Sequence, residues 1–351
     1  MRVLVTGQGG YIGAVLAPIL QEAGHEVAGL DNQLYRESNF GPEPEAVRTI
    51  AADLRSVGAE DLARFDAVIH LAGISNDPVG DLNPEWTYDI NHRASVRLAT
   101  LAKQARVPRF LFSSSCSLYG ASGEAYVDES APLSPVTAYG HSKQLVEQDV
   151  SLLADEDFSP VFLRNATAYG VSPRLRTDVV VNNLTAIAFL QGEVLLTSDG
   201  KAWRPLVHVQ DVSRAFLACL EAPRETIHNQ SFNIGSTTEN YQIREVAKIV
   251  QSVVTGSKVV IGEGATSDVR NYRVDCGRFA RTFPNAVPLW TVRQGVEELY
   301  EAYLRLGLTS HDFSARFVRI AEIRRLLAAG QIDDGLHRID PQEVNAGHDI
   351  R

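Results

Sequence analysis

The chain is poor in positive charge, poor in cysteine and without any long apolar run. Its 351 residues carry 33 lysines and arginines against 43 acidic side chains, a formal net charge of -10. That balance excludes a nucleic-acid groove or an anionic membrane surface as the main partner and leaves room for a small anion enclosed in a local basic pocket. Three cysteines, Cys116, Cys219 and Cys276, are odd in number and fit no motif spacing. A disulfide framework is therefore not expected, a reducing compartment suits the chain, and no metal is invoked. No stretch approaches the roughly 18 apolar residues of a membrane span. No basic segment followed by an apolar run precedes the first strand, so the expected location is the cytoplasm. Internal repeats and low-complexity tracts are absent as well.

What is present is a strand-helix alternation. With 44% hydrophobic and 22% charged residues, the chain can bury one large core or two unequal ones. Strands are predicted at Arg2 to Thr6, Glu26 to Leu30, Thr49 to Ala52, Ala67 to Leu71, Phe110 to Ser113 and Pro160 to Leu163. Several are apolar throughout, as strands covered on both faces should be. Helical spacing fills Tyr11 to Ala23, Pro84 to Ala105 and Ala138 to Leu153, and Gly24 stands where a helix C-cap would. The pattern implies an α/β fold with a doubly wound parallel sheet over residues 1–165, completed by about 204–235. Residues 166–203 and 236–310 form a smaller, mostly helical lobe with helices at Val179 to Leu190, Gln242 to Val254 and Thr291 to Arg305. In the tail, 311–351, Phe313, Phe317, Ile320, Ile323 and Leu327 recur at helical spacing and predict a surface helix packed on the body.

The first strand runs into Thr6-Gly7-Gln8-Gly9-Gly10-Tyr11-Ile12-Gly13. Ile12 takes the last position of a strict G-x-G-x-x-G, and the pattern that fits is G-x-x-G-x-x-G through Gly7, Gly10 and Gly13. A tight turn, backbone close enough to touch a pyrophosphate and a helix N-terminus aimed at that anion all require residues without a Cβ. Asp31 ends the second strand 18 residues past Gly13, where a carboxylate can bond both ribose hydroxyls. It favours NAD, because a 2'-phosphate would meet a like charge. Asp53, after the third strand, suits either the adenine amino group or a helix cap.

Tyr139-Gly140-His141-Ser142-Lys143 stands 24 residues after Ser113-Ser114-Ser115. A free tyrosine, with a pKa near 10, is too weak an acid to serve as a base at neutral pH unless a cation stabilises its phenolate. On a helix, the i to i+4 spacing stacks Lys143 beside Tyr139, from where it also reaches the nicotinamide ribose. Ser115 would hold the substrate oxygen.

These stretches, with His70-Leu71-Ala72-Gly73, Asn91, Ser113 through Gly120, Leu163-Arg164, Tyr169-Gly170 and Arg204 to Val212, resemble the extended short-chain dehydrogenase/reductases of the nucleotide-sugar epimerase/dehydratase type, over Met1 to about Tyr303. The resemblance implies a Rossmann-type fold, NAD as cofactor, a nucleotide sugar as substrate and a homodimer paired through the helices after Asn83 and around Tyr139. It makes Tyr139 the general acid/base, Lys143 its electrostatic partner and Ser115 the substrate anchor. Cofactor contacts carried over are Gly7, Gly10, Tyr11, Ile12, Gly13, Asp31, Asn32, Asp53, Leu54, Leu71 to Gly73, Asn91 and Ser113, beside Tyr139 and Lys143. Substrate contacts carried over are Ser75, Cys116, Ser117, Thr167, Asn183 in an Asn182-Asn183-Leu184 turn, and two guanidinium forks for the diphosphate, Arg204 and Arg270. His208, Tyr119 and Trp203 suit either the pocket or packing.

Departures from the family narrow the reaction. Where dehydratases of this type carry Asp and Glu after the anchoring hydroxyl, this chain has Cys116 and Ser117, so water elimination lacks its acid and base. Decarboxylating relatives also need a glutamate there. Epimerase/reductases resembling fucose synthase pair a cysteine with a histidine, at whose places stand Ser117 and Ser172. The reaction that survives needs only Ser, Tyr, Lys and NAD: oxidation of a sugar carbon, expected at carbon 4, and re-reduction from its other face. A one-way NAD(P)H-dependent reductase or dehydrogenase of a 4-keto-6-deoxy sugar nucleotide is the alternative, and a non-catalytic dinucleotide sensor stands further off. UDP-galactose 4-epimerases have an aromatic-aromatic-asparagine segment where this chain has Asn165-Ala166-Thr167, and the loop Ile74 to Pro78 lacks the usual residues. A sugar other than plain glucose or galactose is therefore expected.

Overall fold

The computed structural model describes residues 1–42, 47–75, 77–266 and 270–339. Seven parallel strands form the central sheet: β1 (Arg2–Thr6), β2 (Glu26–Asp31), β3 (Arg48–Ala51), β4 (Ala67–His70), β5 (Arg109–Ser115), β6 (Ser159–Asn165) and β7 (Gln230–Ile234), in the order β7-β6-β5-β4-β1-β2-β3. The order reverses between β1 and β4. Crossover connections leave a crevice at the carboxyl ends of the strands there, the place where open α/β sheets take their ligands.

Alternation along each strand builds two cores. Val3, Val5 and Leu111 join one face with Leu16, Val161 and Phe216, while Leu4, Phe110 and Phe112 join the other with Val68, Val146 and Phe158. Strands buried on both faces must be apolar at every position, and each such side chain contributes about 1.5–3 kcal/mol. Helices α1 (Gly13–Glu22), α2 (Ala94–Gln104), α3 (Ala138–Ser151) and α5 (Val209–Glu221) supply the covering layers, with α4 (Val180–Gln191) reserved for the second lobe. Gly24 ends α1 with φ of 84° and donates to Gln21 O, a left-handed stop that needs glycine. The single helix expected at Pro84 to Ala105 is divided into Pro84–Thr87, a π-helical stretch Tyr88–Arg93 with i to i+5 bonding, and α2.

The second lobe packs α4, α6 (Ile243–Val253) and α7 (Val292–Leu306) around Leu184, Val246, Val250, Val296 and Tyr303. It also contains short strand pairs: Trp203–His208 lies between Thr167–Tyr169 and Asn240–Gln242, and Glu193–Ser198 pairs with Lys258–Thr266. Arg204, Pro205 and His208 in Trp203–His208, and two glycines in Lys258–Thr266, interrupt any apolar or alternating run there. Asn182-Asn183-Leu184 lies inside α4, in agreement with the helix expected over Val179 to Leu190 and not with the turn that the resemblance implied. The tail turns at Asp312–Arg316 and continues as α8 (Arg319–Ala328). Its buried Ile323 and Leu326, with Ile332 and Leu336, pack on Leu34, Ile74 and Val79. Residues 340–351 and Asn76, part of the loop expected over the sugar, lie outside the described residues.

Candidate active site

Close approach explains the glycines of the G-x-x-G-x-x-G pattern, Gly7 and Gly13 most sharply. Gly7 has φ of 72°, and a Cβ on it would stand 2.7 Å from Ala72 N. A Cβ on Gly10 would stand 3.1 Å from the Gly7 carbonyl oxygen, and one on Gly13 only 2.4 Å from it. The loop therefore folds back on itself at the head of α1, with Gly10 N donating to Gly7 O at 3.0 Å, and leaves a cradle that side chains would fill. Asp31 faces it: its two carboxylate oxygens accept from Gly9 N at 3.0 Å and Gln33 N at 2.6 Å. Burial pushes the Asp31 carboxyl up from its ordinary range, against those two donors. Tyr11 is buried, and its phenol donates to Gly170 O at 2.7 Å, which ties the loop to the second lobe. Ile12 precedes α1 as its N-cap residue. Asn32 Oδ1 accepts from Leu34 N at 3.3 Å. Asp53 caps the turn Leu54–Ser56 and pairs with Arg55 at 2.8 Å, so the structure realises its capping role.

The floor of the crevice is held from below. His70 bridges Thr6 Oγ1 at 2.6 Å and Ser95 Oγ at 2.7 Å, and burial lowers its pKa to about 3, so the ring is neutral. Ser95 Oγ donates to Asn91 O, and Asn91, itself buried, clasps Ile74 through both its backbone N–H and carbonyl at 2.6 and 2.8 Å. Leu71, Ala72 and Gly73 cross this support, with Ala72 N donating to Thr6 Oγ1 at 3.3 Å.

At the end of β5, Lys143 lies buried one helical turn after Tyr139, near the start of α3. Thr137 Oγ1 caps that helix by accepting from Gly140 N, and a Cβ on Gly140 would stand 2.8 Å from Pro135 Cβ, which keeps a glycine between the two functional positions. Lys143 Nζ donates to Ser113 O at 2.7 Å, lies 4.5 Å from the centre of the Phe112 ring and 5.7 Å from that of Tyr139. Burial lowers its pKa to about 7, opposed by the Glu147 carboxylate. One turn further, Glu147 accepts from Ser114 Oγ and from the Arg164 fork, which in turn donates to the Tyr119 hydroxyl, bonded to Asn233. This buried network fixes strand and helix against each other. Ser115 Oγ accepts from Ser117 N at 3.1 Å, and Ser113 Oγ accepts from Asn165 Nδ2 at 3.0 Å. Ser117 Oγ and Asn165 Oδ1 are buried with no hydrogen-bond partner among the described residues.

On the substrate side the carried-over residues divide. Arg204 and Arg270 are adjacent, with Arg204 Nη1 donating to the carbonyls of Arg270 and Trp203, and its guanidinium over Tyr272. Thr167 is half-buried in its strand, and Asn183 donates to Thr177 O at 2.8 Å. Ser75 is exposed and accepts from Arg176 Nη1 at 3.0 Å. Cys116 is the correction: it is 1% exposed in a cluster with Tyr272 and Cys276, its thiol donates to Arg164 O, and burial pushes its pKa well up. A thiol so placed meets the core and not a substrate. His208 and Trp290 stack at 4.1 Å, Tyr119 joins the buried network, and Trp203 lies against Arg273 with its indole N–H unpartnered among the described residues.

Sequence reasoning passed over Glu147, although it follows Lys143 at the next i+4 step, and over Arg176 and Arg319. Arg176 pairs with Asp178 at 2.8 Å beside the glycine loop.

A profile of the NAD dependent epimerase/dehydratase family matches residues 3–235. The chain belongs to that family. A UDP-glucose 4-epimerase of Corynebacterium glutamicum is 30% identical over 72% of this chain and 80% of its own length. One of Bacillus subtilis is 28% identical over 85% of this chain and 94% of its own. Among solved structures, MoeE5 in complex with UDP-glucuronic acid and NAD superposes with a TM-score of 0.76 at 27% identity, covering 87% of this chain and 99% of MoeE5. The family member described here is thus an NAD-dependent enzyme of the extended short-chain dehydrogenase/reductase type, and the glycine cradle and Asp31 fit that dinucleotide on the geometry above. No helix among the described residues is long and apolar enough to cross a membrane.

Proposed function

We propose that the enzyme epimerises a nucleotide-activated sugar at carbon 4 by oxidation and re-reduction of that carbon. The observation that carries this is the buried Lys143, one turn from Tyr139 and bonded to the end of the strand that bears Ser115. Bound NAD supplies the hydride acceptor and, afterwards, the hydride donor. Tyr139 takes the proton of the sugar hydroxyl as the carbon is oxidised and returns it at re-reduction, while the Lys143 ammonium stabilises the phenolate. Ser115 donates to the same oxygen. Arg204 and Arg270 hold the diphosphate, which leaves the sugar free to present its second face.

The placement of Cys116 supports epimerisation over dehydration. With its thiol buried and pushed up, and Ser117 beside it, the loop offers no acid-base pair for elimination. The segment Asn165-Ala166-Thr167 supports a sugar other than plain glucose or galactose, whereas MoeE5, solved both with UDP-glucuronic acid and with UDP-glucose, is compatible with either class.

The test is incubation of purified enzyme, with no cofactor added, with UDP-, dTDP-, GDP- and CDP-sugars, uronic acids included, followed by NMR and nicotinamide absorbance. Interconversion of 4-epimers with no net absorbance change is expected. Turnover only when NAD(P)H is supplied and consumed would replace epimerase by reductase, and ordinary rates of about 1 to 1000 per second on UDP-glucose and UDP-galactose would remove the claim of a modified sugar.

A further inference from the structure

The segment Asp312 to Arg338 is fastened across the loops that follow β2, β3 and β4. Arg338 Nε donates to Asn32 O at 3.0 Å and its Nη2 to Gln33 O at 2.5 Å. Arg55 Nη1 donates to Gly335 O at 2.8 Å, and Trp86 Nε1 to Asp334 O at 2.6 Å. Arg316 Nε donates to Glu37 O at 2.9 Å, and Thr177 N to Phe317 O at 3.1 Å. Apolar contact of Ile323 and Leu326 with Leu34, Ile74 and Val79 seals the same edge. These loops carry Asp31, Asn32, Asp53 and the Leu71–Gly73 floor, the adenosine half of the dinucleotide crevice.

Inside this cover stands Arg319. It is 4% exposed, its guanidinium lies 4.1 Å from the centre of the Tyr35 ring, and Nη2 donates to Arg174 O at 3.2 Å. Nη1 has no hydrogen-bond partner among the described residues. Arg319 and Arg174 both act electrostatically on the Asp31 carboxyl and Arg176 on Tyr11, and Tyr35, under the Arg319 guanidinium, belongs to the loop that follows Asp31. Arg176 is matched by Asp178. Burial and the neighbouring arginines lower the Arg319 pKa to about 10, which leaves it charged at neutral pH. The Asp178 and Asp31 carboxylates act on Arg319 electrostatically, but neither accepts from its buried Nη1, which is left as a spare donor that an acceptor would satisfy.

We propose that 312–339 is a strap that keeps NAD resident, and that Arg319 donates from it to the phosphate–ribose stretch of the dinucleotide. The proposal rests on the NAD dependence of the family and deepens the epimerase assignment, since returning a hydride to the carbon that gave it requires the cofactor to stay.

The test reads NAD release in the absence of any sugar, so its outcome is independent of the reaction. NAD content after purification and the NAD dissociation rate are measured for wild type, Arg319→Gln and Arg338→Gln, with circular dichroism and thermal melts as the check on folding. Arg319→Gln is expected to release NAD about ten- to hundredfold faster, the factor for a lost hydrogen bond to a charged group. Arg338→Gln, changed on the exposed surface, is expected to release it several-fold faster. A folded Arg319→Gln that keeps NAD within twofold of the wild-type rate overturns the role of Arg319, as does an equal loss of melting temperature with and without NAD. Should Arg319→Gln not fold, Arg338→Gln decides: an unchanged release rate overturns the strap.

Discussion

The Lys143 ammonium lies buried with one carbonyl and one aromatic ring against it, and its pKa falls from 10.5 to about 7. Between those two values the unfolded chain binds the proton that the folded chain has released, so stability contributed by this residue rises with pH through that window. The NAD-free protein is expected to gain roughly 3–4 kcal/mol from this source between pH 7 and 10, and Lys143→Met to lack that gain, in urea titrations repeated across pH. A wild-type and variant difference that does not change with pH would show that the buried lysine is not neutralised on folding. Tyr139→Phe tests the other half of the pair: turnover is expected to fall by about 10²- to 10⁴-fold while the NAD content after purification stays unchanged. Steady-state rates and absorbance of the released cofactor measure both. A non-catalytic sensor would keep its ligand-dependent binding in this variant.

At the scale of elements, the turn from β1 into α1 and the contact of α3 with β5 and β6 position everything else. A methyl group at Gly13 would press on the Gly7 carbonyl oxygen at 2.4 Å, backbone on backbone, with no flexible atom to yield. Gly13→Ala is expected to fold with lowered melting temperature and to leave purification with little NAD. The Glu147–Arg164 fork is buried on both sides at 2.7 Å, so Glu147→Gln is expected to destabilise by about 3–5 kcal/mol in denaturant titration, because it strands a buried guanidinium. These elements were legible to different degrees. The six strands predicted from apolar runs all lie in the sheet, within two residues of their observed ends, because most of them are covered on both faces; the edge strand Arg48–Ala51, with no buried position, is the exception. Trp203–His208 was not legible as a strand, since Arg204, Pro205 and His208 interrupt its apolar run and its partners come from distant sequence. Glycine and Tyr-x-x-x-Lys spacing pointed to the nucleotide loop and the proton-handling pair, whereas Arg176 and Arg319 carry no local signature: only the fold brings Arg319 onto Tyr35 and Arg176 onto Ser75.

For the whole molecule, the outer faces of α3 and of the divided helix Pro84 to Gln104 meet in a shallow cleft lined by His92, Val96, Thr100, Leu101 and Asp149, with His92 Nε2 and Asp149 Oδ2 2.6 Å apart. Pairing of this face with its copy is the proposed homodimer, and light scattering is expected to return twice the chain mass, falling to one chain mass in Leu101→Glu. An unaltered mass in that variant would place the interface elsewhere. The central claim is that one carbon gives its hydrogen to a cofactor that never leaves and takes the same hydrogen back. Substrate carrying deuterium at carbon 4 tests it most directly, with the epimer followed by NMR in ordinary water and no cofactor added. The account predicts that the product retains deuterium at carbon 4 and that the solvent contributes none; product carrying protium at that carbon would contradict it.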